Sequence, residues 1–472
     1  MKVYLFLLTS CALLFSADND ISAKIERLEA RILQLEASQY NTSENVDNIQ
    51  LVVDSVERKS FTDIIDFTPE VRLRFDKMRY SVGAFETEYD ATPGKNTPNR
   101  ENIDKDFSLA SSVRFRLNMN ANVLEDLSFR GRVIFQHSTQ SNERLCILSQ
   151  SIKSSGSISG VDIDRAYFDY KLNPSSRYPF IFSLGILPTS GGTPMQFSEV
   201  RARQSVFPAL VFDMDSYGVI FTSDLKSLFG RQTFIRAIVA QAYTLDPNIY
   251  PYQCNRETID NADIYGLYFD MQLAHDSLFS FGFNVLEDLK AHPYLGPDIS
   301  AEDSSVLGKM VTLGAGIDAQ NIADSGLNTF LHIASSHGYS NGNVDDYGPG
   351  SVANFTQSTY ATGTLIEDWG YAAYAGLLYE VTTAWTFGVE YNFGSKYWFA
   401  ATQGAEDMYN KLATRGHVGE GYLIWKLNRS LFTKVGYMYT SEDYTGSGWH
   451  FGEPIDKGGT QQVGYLQLNA SF

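Results

Sequence analysis

The chain has 472 residues, a formal net charge of −18, only 19% charged residues, and 31 Phe, 28 Tyr and 37 Gly against 14 Pro. That acidity argues against a nucleic-acid partner, because a polyanionic backbone rewards basic surfaces. Beyond the amino terminus no run reaches the roughly 18 apolar residues of a membrane-spanning helix, so if this chain crosses a bilayer it must do so as strands.

Residues 1–17 read as a secretory signal peptide: Lys2 precedes an apolar run from Val3 to Phe15, and Ala17 precedes the polar Asp18-Asn19-Asp20. Leu8-Thr9-Ser10-Cys11 weakly resembles a lipoprotein signal with Cys11 acylated, but the apolar run continues past Cys11 and would be cut in half. Export leaves Cys146 and Cys254, both in polar, loop-like stretches and in an oxidising compartment. A Cys146–Cys254 bridge and two free thiols both fit the sequence, which does not give their separation.

Residues 18–60 predict a periplasmic α-helical coiled coil. Ile25, Ile32, Val46 and Val53 fall at one seam position and Ile21, Leu28, Leu35, Ile49 and Val56 at the other, with Gln39 and Thr42 as polar interruptions. About five heptads of this kind need a partner helix, and Ile or Val at the first position with Leu at the second nominally favours dimers. A lone amphipathic helix is the competing reading.

Over residues 61–472 the apolar period switches from seven to two. Val71, Leu73 and Phe75 alternate with Arg72, Arg74 and Asp76. Trp385, Phe387, Val389, Tyr391 and Phe393 interleave with Thr386, Gly388, Glu390 and Asn392. About sixteen such segments are expected, near 67–78, 107–120, 127–138, 161–172, 179–187, 213–223, 231–243, 261–273, 277–287, 308–319, 326–338, 369–380, 384–396, 415–427, 430–440 and 460–472. Short connections such as Asn173-Pro174-Ser175-Ser176 and Val381-Thr382-Thr383 alternate with long polar ones of roughly 15 to 30 residues. A soluble sandwich has no reason to sort its loops in this way. An all-β transmembrane antiparallel barrel does, with short turns at the periplasmic side, long loops outside, and both ends of an even-stranded ring in the periplasm. The last strand carries Leu466, Leu468, Ala470 and Phe472 on one face, and resembles the closing strand that bacterial outer-membrane barrels present to their barrel-assembly machinery, with Phe472 as the assembly signal.

The polar faces of the first four strands carry a basic wall: Arg72 and Arg74, Arg114 and Arg116, Arg130 and Arg132, then Arg165 and Lys171. Consecutive strands would stack these arginines into a ladder on one side of a lumen. They either bias the ions that pass or serve only to satisfy the interior beside Asp76, Asp169 and nearby acids, since like charges this close require counter-charges. The third long loop, roughly 188–212, is unusually apolar, with Met195, Phe197, Val200, Val206, Phe207, Leu210, Val211 and Phe212, so it should fold against something. It also carries Glu199 with Arg201 and Arg203.

Leu184-Gly185-Ile186-Leu187-Pro188-Thr189 and Arg203-Gln204-Ser205-Val206-Phe207-Pro208-Ala209-Leu210, preceded by Arg165-Ala166-Tyr167-Phe168-Asp169-Tyr170 and followed by Gly394-Ser395-Lys396-Tyr397-Trp398, resemble an uncharacterised family of predicted Gram-negative outer-membrane porins with an amino-terminal coiled coil. The resemblance spans nearly the whole mature chain and implies location in outer-membrane lipid, a homotrimer where the heptads nominally favour a dimer, and a third loop bent into the barrel with Glu199 opposite the wall arginines. A third loop packed at a subunit contact is the alternative. Related loops tend to carry an acid after the proline-threonine pair, where this chain has Ser190-Gly191-Gly192.

No zinc-protease helix, nucleophile elbow, phosphate loop or haem-attachment motif is present, and no enzyme activity, cofactor or metal site is expected. His332 and His337 read as an interfacial pair, and the Asp345-Asp346 loop as solvated. The expected function is a porin allowing passive diffusion of small hydrophilic solutes or ions, with a weak preference for anions. A structural or adhesive barrel, and a barrel sheath around a multi-component conduit, are the rivals.

Overall fold

Period-two alternation gives each strand two chemically distinct faces, and here the strands close on themselves. The structure is a computed structural model that describes residues 24, 28, 65–82, 103–138, 159–243, 262–274, 277–290, 306–345, 363–402, 409–444, 447, 453–454 and 456–472. The expected signal peptide, Cys146 and Cys254 lie outside the described residues; of the expected coiled coil only Lys24 and Leu28, both helical, lie within them. The chain divides into two units, Met1–Ile65 and Asp66–Phe472.

The second unit is an antiparallel barrel of sixteen strands. They are β1 (Ile65–Val82), β2 (Ala110–Asn122), β3 (Leu127–Ser138), β4 (Ser159–Leu172), β5 (Phe180–Leu187), β6 (Ser216–Asp224), β7 (Thr233–Tyr243) and β8 (Ala262–Ala274), followed by β9 (Ser277–Lys290), β10 (Val306–Ala319), β11 (Leu327–Ser340), β12 (Gly370–Glu380), β13 (Trp385–Gly394), β14 (Gly416–Lys426), β15 (Leu431–Tyr444) and β16 (Asp456–Ser471). A segment at Ile103–Asp106 continues β2 past a break at 107–109 and pairs with the end of β1, Arg79 opposite Asp106. The ring closes where β1 meets β16, from Glu70 opposite Ser471 to Val82 opposite Gly459. Every strand of the ring therefore has a neighbour on both sides, and no edge is left open. The sixteen segments marked by the sequence pattern are the sixteen strands, with ends moved by a few residues.

Strand β13 shows why the ring forms. Trp385, Phe387, Val389 and Tyr391 are exposed, while Thr386, Glu390 and Asn392 between them are buried. The same inversion recurs on β1, where Arg72, Arg74 and Asp76 are buried and Phe75 is exposed, and on β2, where Arg114 and Arg116 are buried and Phe115 is exposed. A water-soluble core would place these side chains the other way round. Short connections such as 123–126 and 381–384 alternate with long ones such as 188–215 and 395–415. Two of the short turns start on Asn173 and Asn321, at φ 50° and 45°, a left-handed conformation that asparagine tolerates better than most residues.

The hydrophobic core lies inside the barrel rather than between layers. It is built from the 188–215 and 395–415 connections, including Phe207, Phe212, Trp398 and Leu412, packed on inward residues such as Ile238, Tyr268, Phe330 and Tyr374. Within the first connection a short helix, α1 (Met195–Glu199), ends on Val200 in the left-handed region at φ 51°. Gly192 lets two parts of this connection touch: a Cβ there would sit 1.6 Å from the Phe207 carbonyl oxygen. That contact leaves no room for a side chain at position 192.

Candidate functional site

Strand register decides which arginines share a face. Directly opposed residues of an antiparallel pair point the same way, and Asn118 faces Arg132 across β2–β3 while Arg132 faces Arg165 across β3–β4. A β-bulge between Ile163 and Arg165 leaves Asp164 without a partner residue on β3, so Asp164 and Arg165 are both buried on the inner face. Asp164 receives a two-pronged contact from Arg132, with Nε to Oδ1 at 2.8 Å and Nη2 to Oδ2 at 2.7 Å. It also interacts electrostatically with Arg116 and Arg165. One carboxylate thus sits among three guanidiniums.

The 188–215 connection closes over this wall. Arg165 donates to the Ser190 carbonyl at 2.7 Å and to the Gln204 carbonyl at 2.9 Å, and Arg132 reaches Gln204 Oε1 at 3.4 Å. Glu199, buried at the end of α1, lies 3.9 Å from Arg114 Nη2, an ion-pair distance longer than a hydrogen bond. Arg201 then pairs with Glu70 on β1 at 3.3 Å, and Arg203 with Asp270 on β8 at 2.9 Å. β1 and β8 stand on opposite sides of a sixteen-stranded ring, so two residues of one connection span the lumen from wall to wall.

The other arginines of the sequence ladder differ among themselves. Arg72 is buried on β1. Arg74 donates to Asp76 at 2.8 Å and lies over the Tyr465 ring at 4.2 Å, a cation–π contact. Arg130, nearer the short turns, stays open at 56% side-chain exposure, with Asp169 at 3.7 Å. Lys171 is exposed. Phe472 donates its backbone N–H to the Pro69 carbonyl at 3.0 Å, and its side chain is exposed.

A second cluster, on β12 to β16, is not marked by any motif in the sequence. Lys411, from the 395–415 connection, bonds to Glu390 of β13 and to Glu420 of β14, the latter at 2.6 Å. Tyr374 and Tyr422 each donate to Glu390 at 2.6 Å, Tyr465 donates to Glu420, and Lys434 stands 3.7 Å from Glu420. Buried charges persist only when paired and hydrogen-bonded in this way. The signal available was the placing of Glu390, Glu420 and Lys434 at polar-face positions of three successive strands. Lys411 gave none, because nothing in a loop sequence says that it turns inward.

The two inward connections also hold each other. Asp213 donates its N–H to the Ala401 carbonyl at 2.9 Å, and Thr402 donates its hydroxyl to the Asp213 carboxylate at 3.2 Å. At the long-loop end Lys396 donates to Glu453 at 3.0 Å, a hydrogen bond that holds its ammonium above the usual lysine range. The expected His332–His337 pair is corrected: the two stand on opposite faces of β11. His332 points inward and meets Asp318 at 2.9 Å, while His337 packs against Tyr339 and Trp369 at 4.7 Å each. An odd separation along a strand puts two side chains on different faces. Among the described residues no group of His, Cys, Asp and Glu could hold a metal ion.

Fold and lumen together define a closed sixteen-stranded barrel, apolar outside and charged within, bridged by an inward connection. Residues 104–469 match the family described as protein of unknown function DUF3373, and the chain belongs to that family. No curated protein matches it. Among solved structures it is similar to Pseudomonas putida OprB at 10% identity and a TM-score of 0.48, covering 88% of this chain and 96% of that one. It is similar to Salmonella typhi OmpF in complex with daunomycin at 10% identity and a TM-score of 0.40, covering 85% and 97% respectively. A variant of Rh. blastica porin matches at 10% identity and a TM-score of 0.37, covering 86% and 100%.

Proposed function

We propose that this chain is an outer-membrane porin of narrow bore, a homotrimer with both termini in the periplasm, through which small hydrophilic solutes or ions diffuse passively. The observation that carries the reading is the inverted polarity of a closed ring. Lipid is the solvent that rewards exposed Phe, Leu and Tyr around the whole circumference, and a lumen is where buried arginines and carboxylates find a use. The height of the outer band supports it. On β12 the outward side chains run from Tyr371 through Ala373, Ala375 and Leu377 to Tyr379, with aromatic residues at both ends. At about 3.4 Å per residue on a strand tilted by about 40°, that is roughly 20 Å, close to the apolar band of such barrels. Near the short turns, Trp385 and Trp425 stack at 5.3 Å, where an interfacial aromatic girdle belongs.

Arg114, Arg116, Arg132 and Arg165, answered by Glu199 and Asp164, would set the field in the narrow part and lean the channel toward anions. No bond is made or broken; solutes are selected by size and charge. A second reading is favoured by the buried Phe207, Phe212, Trp398 and Leu412 between the two inward connections, which suit a plugged barrel whose task is to display its outer loops. Planar-bilayer recording with ions of graded size separates the two. A porin gives small, well-defined conductance steps that vanish as the ion grows, and a plugged barrel gives none although the protein is folded and assembled.

A further inference from the structure

Along the inner wall, the carboxylates Asp76, Asp164, Asp270, Glu390 and Glu420 each stand within ion-pair distance of an arginine or a lysine. Asp318, buried near the end of β10, does not. Among the described residues its side chain has two polar partners: His332 Nε2 of β11 at 2.9 Å, and the hydroxyl of Thr193, which belongs to the inward connection. Of these, His332 alone can carry a compensating positive charge. A carboxylate buried without a cation is costly. Whether the His332 ring holds one proton or two therefore decides how well Asp318, and with it Thr193, is kept in place.

The ring has little freedom to answer in another way. It lies close on β10, where a Cβ at Gly316 would sit 2.1 Å from His332 Nδ1, and Phe330 flanks it with ring centroids 6.3 Å apart. The other titratable groups on the elements around the pair are already committed. Tyr374, opposite His332 on β12, donates to Glu390 at 2.6 Å, and Lys411 holds Glu390 and Glu420. Glu380, further along β12, pairs with Lys426 at 3.6 Å. On the connection, Glu199 faces Arg114, Arg201 is taken by Glu70, and Arg203 by Asp270. Gln196 is neutral and donates to the Thr193 hydroxyl at 3.2 Å, which ties α1 to the same point.

We propose that Asp318 and His332 form a proton-operated latch on the inward connection. With His332 protonated, the ion pair is complete and Asp318 holds Thr193; with that proton gone, a buried carboxylate stands alone and the 188–215 connection loosens. Acid fastens the connection and alkali frees it.

The test is a double-mutant cycle on the full-length protein in detergent micelles, pairing His332→Gln with Thr193→Val. Glutamine can present an N–H to Asp318 but never a charge, so it stands for the neutral imidazole. Stability is read as the temperature at which compact gel mobility is lost, at about pH 5 and about pH 8, the bounds of the range in which ordinary imidazoles change charge. His332→Gln should lower that temperature by several degrees at the acid end and scarcely at the alkaline end. Its coupling to Thr193→Val should be present at the acid end and absent at the other, while groups that titrate elsewhere cancel in the cycle. If His332→Gln does not fold, Asp318→Asn takes its place. Equal coupling at both pH values, or none at either, would overturn the latch and leave His332 as a packed ring with a structural hydrogen bond. On the porin reading the latch also gates conduction: wild-type current steps should be larger and noisier at the alkaline end, with a smaller change in His332→Gln. Steps that respond to pH alike in both proteins would remove the gating. The cycle needs no conduction, so the latch and the porin reading can fail separately.

Discussion

The two charged walls of the lumen are built by opposite rules. On β2 to β4, Asp164 lies among the guanidiniums of Arg116, Arg132 and Arg165, and the link to the inward connection through Arg114 and Glu199 is 3.9 Å long. On β12 to β16, two carboxylates are each bonded by Lys411 and capped by tyrosine hydroxyls. On the porin reading, the first wall is where a passing solute would meet a field. In the second, charges are cancelled in place and fasten the 395–415 connection to the barrel. Charge inside a barrel is therefore no guide to selectivity by itself; its pairing decides between field and fastening.

The largest effect should come from the fastened wall. Lys411→Met leaves Glu390 and Glu420 buried without their shared cation, and should cost about 3–5 kcal/mol, read as a fall in the temperature at which the barrel loses its compact gel mobility. Its ion preference should change little for as long as it stays folded. Asp164→Asn acts on the other wall, removing a carboxylate that lies among Arg116, Arg132 and Arg165. The expected loss of stability is about 2–3 kcal/mol, from broken charge-assisted hydrogen bonds, together with a stronger preference for anions in a salt gradient. Gly192→Ala forces a Cβ into the Phe207 carbonyl and should displace the inward connection from the arginine wall at a cost of about 1–3 kcal/mol. New proteolytic cuts between residues 188 and 215, with larger and noisier conductance steps, would be the readout.

The fold was largely legible, because a barrel writes itself in the period of its strands. Trp385 to Phe393 alternate so regularly that face and strand follow together, and the even count follows from the sorting of short and long connections. The candidate site was legible only in part. Strand-borne arginines such as Arg114 and Arg132 could be assigned to the inner face by parity, but the bulge that turns Asp164 inward leaves no mark in composition. The apolar excess of 188–212 marked a loop that must pack. The 395–415 connection carries the same signal in Trp398, Phe399 and Leu412, but nothing in its sequence marks Lys411 as turning inward. His332 and His337 are close in sequence, but strand parity separates them.

The most direct test of the account is the reversal potential of single channels across a potassium chloride gradient, compared between wild type and Arg114→Ala/Arg116→Ala. The account predicts an anion-leaning potential in wild type that moves toward zero or toward cations in the double variant, read on protein whose compact gel mobility shows a folded barrel. A potential identical in both proteins, or no channel from a correctly folded barrel, would contradict it.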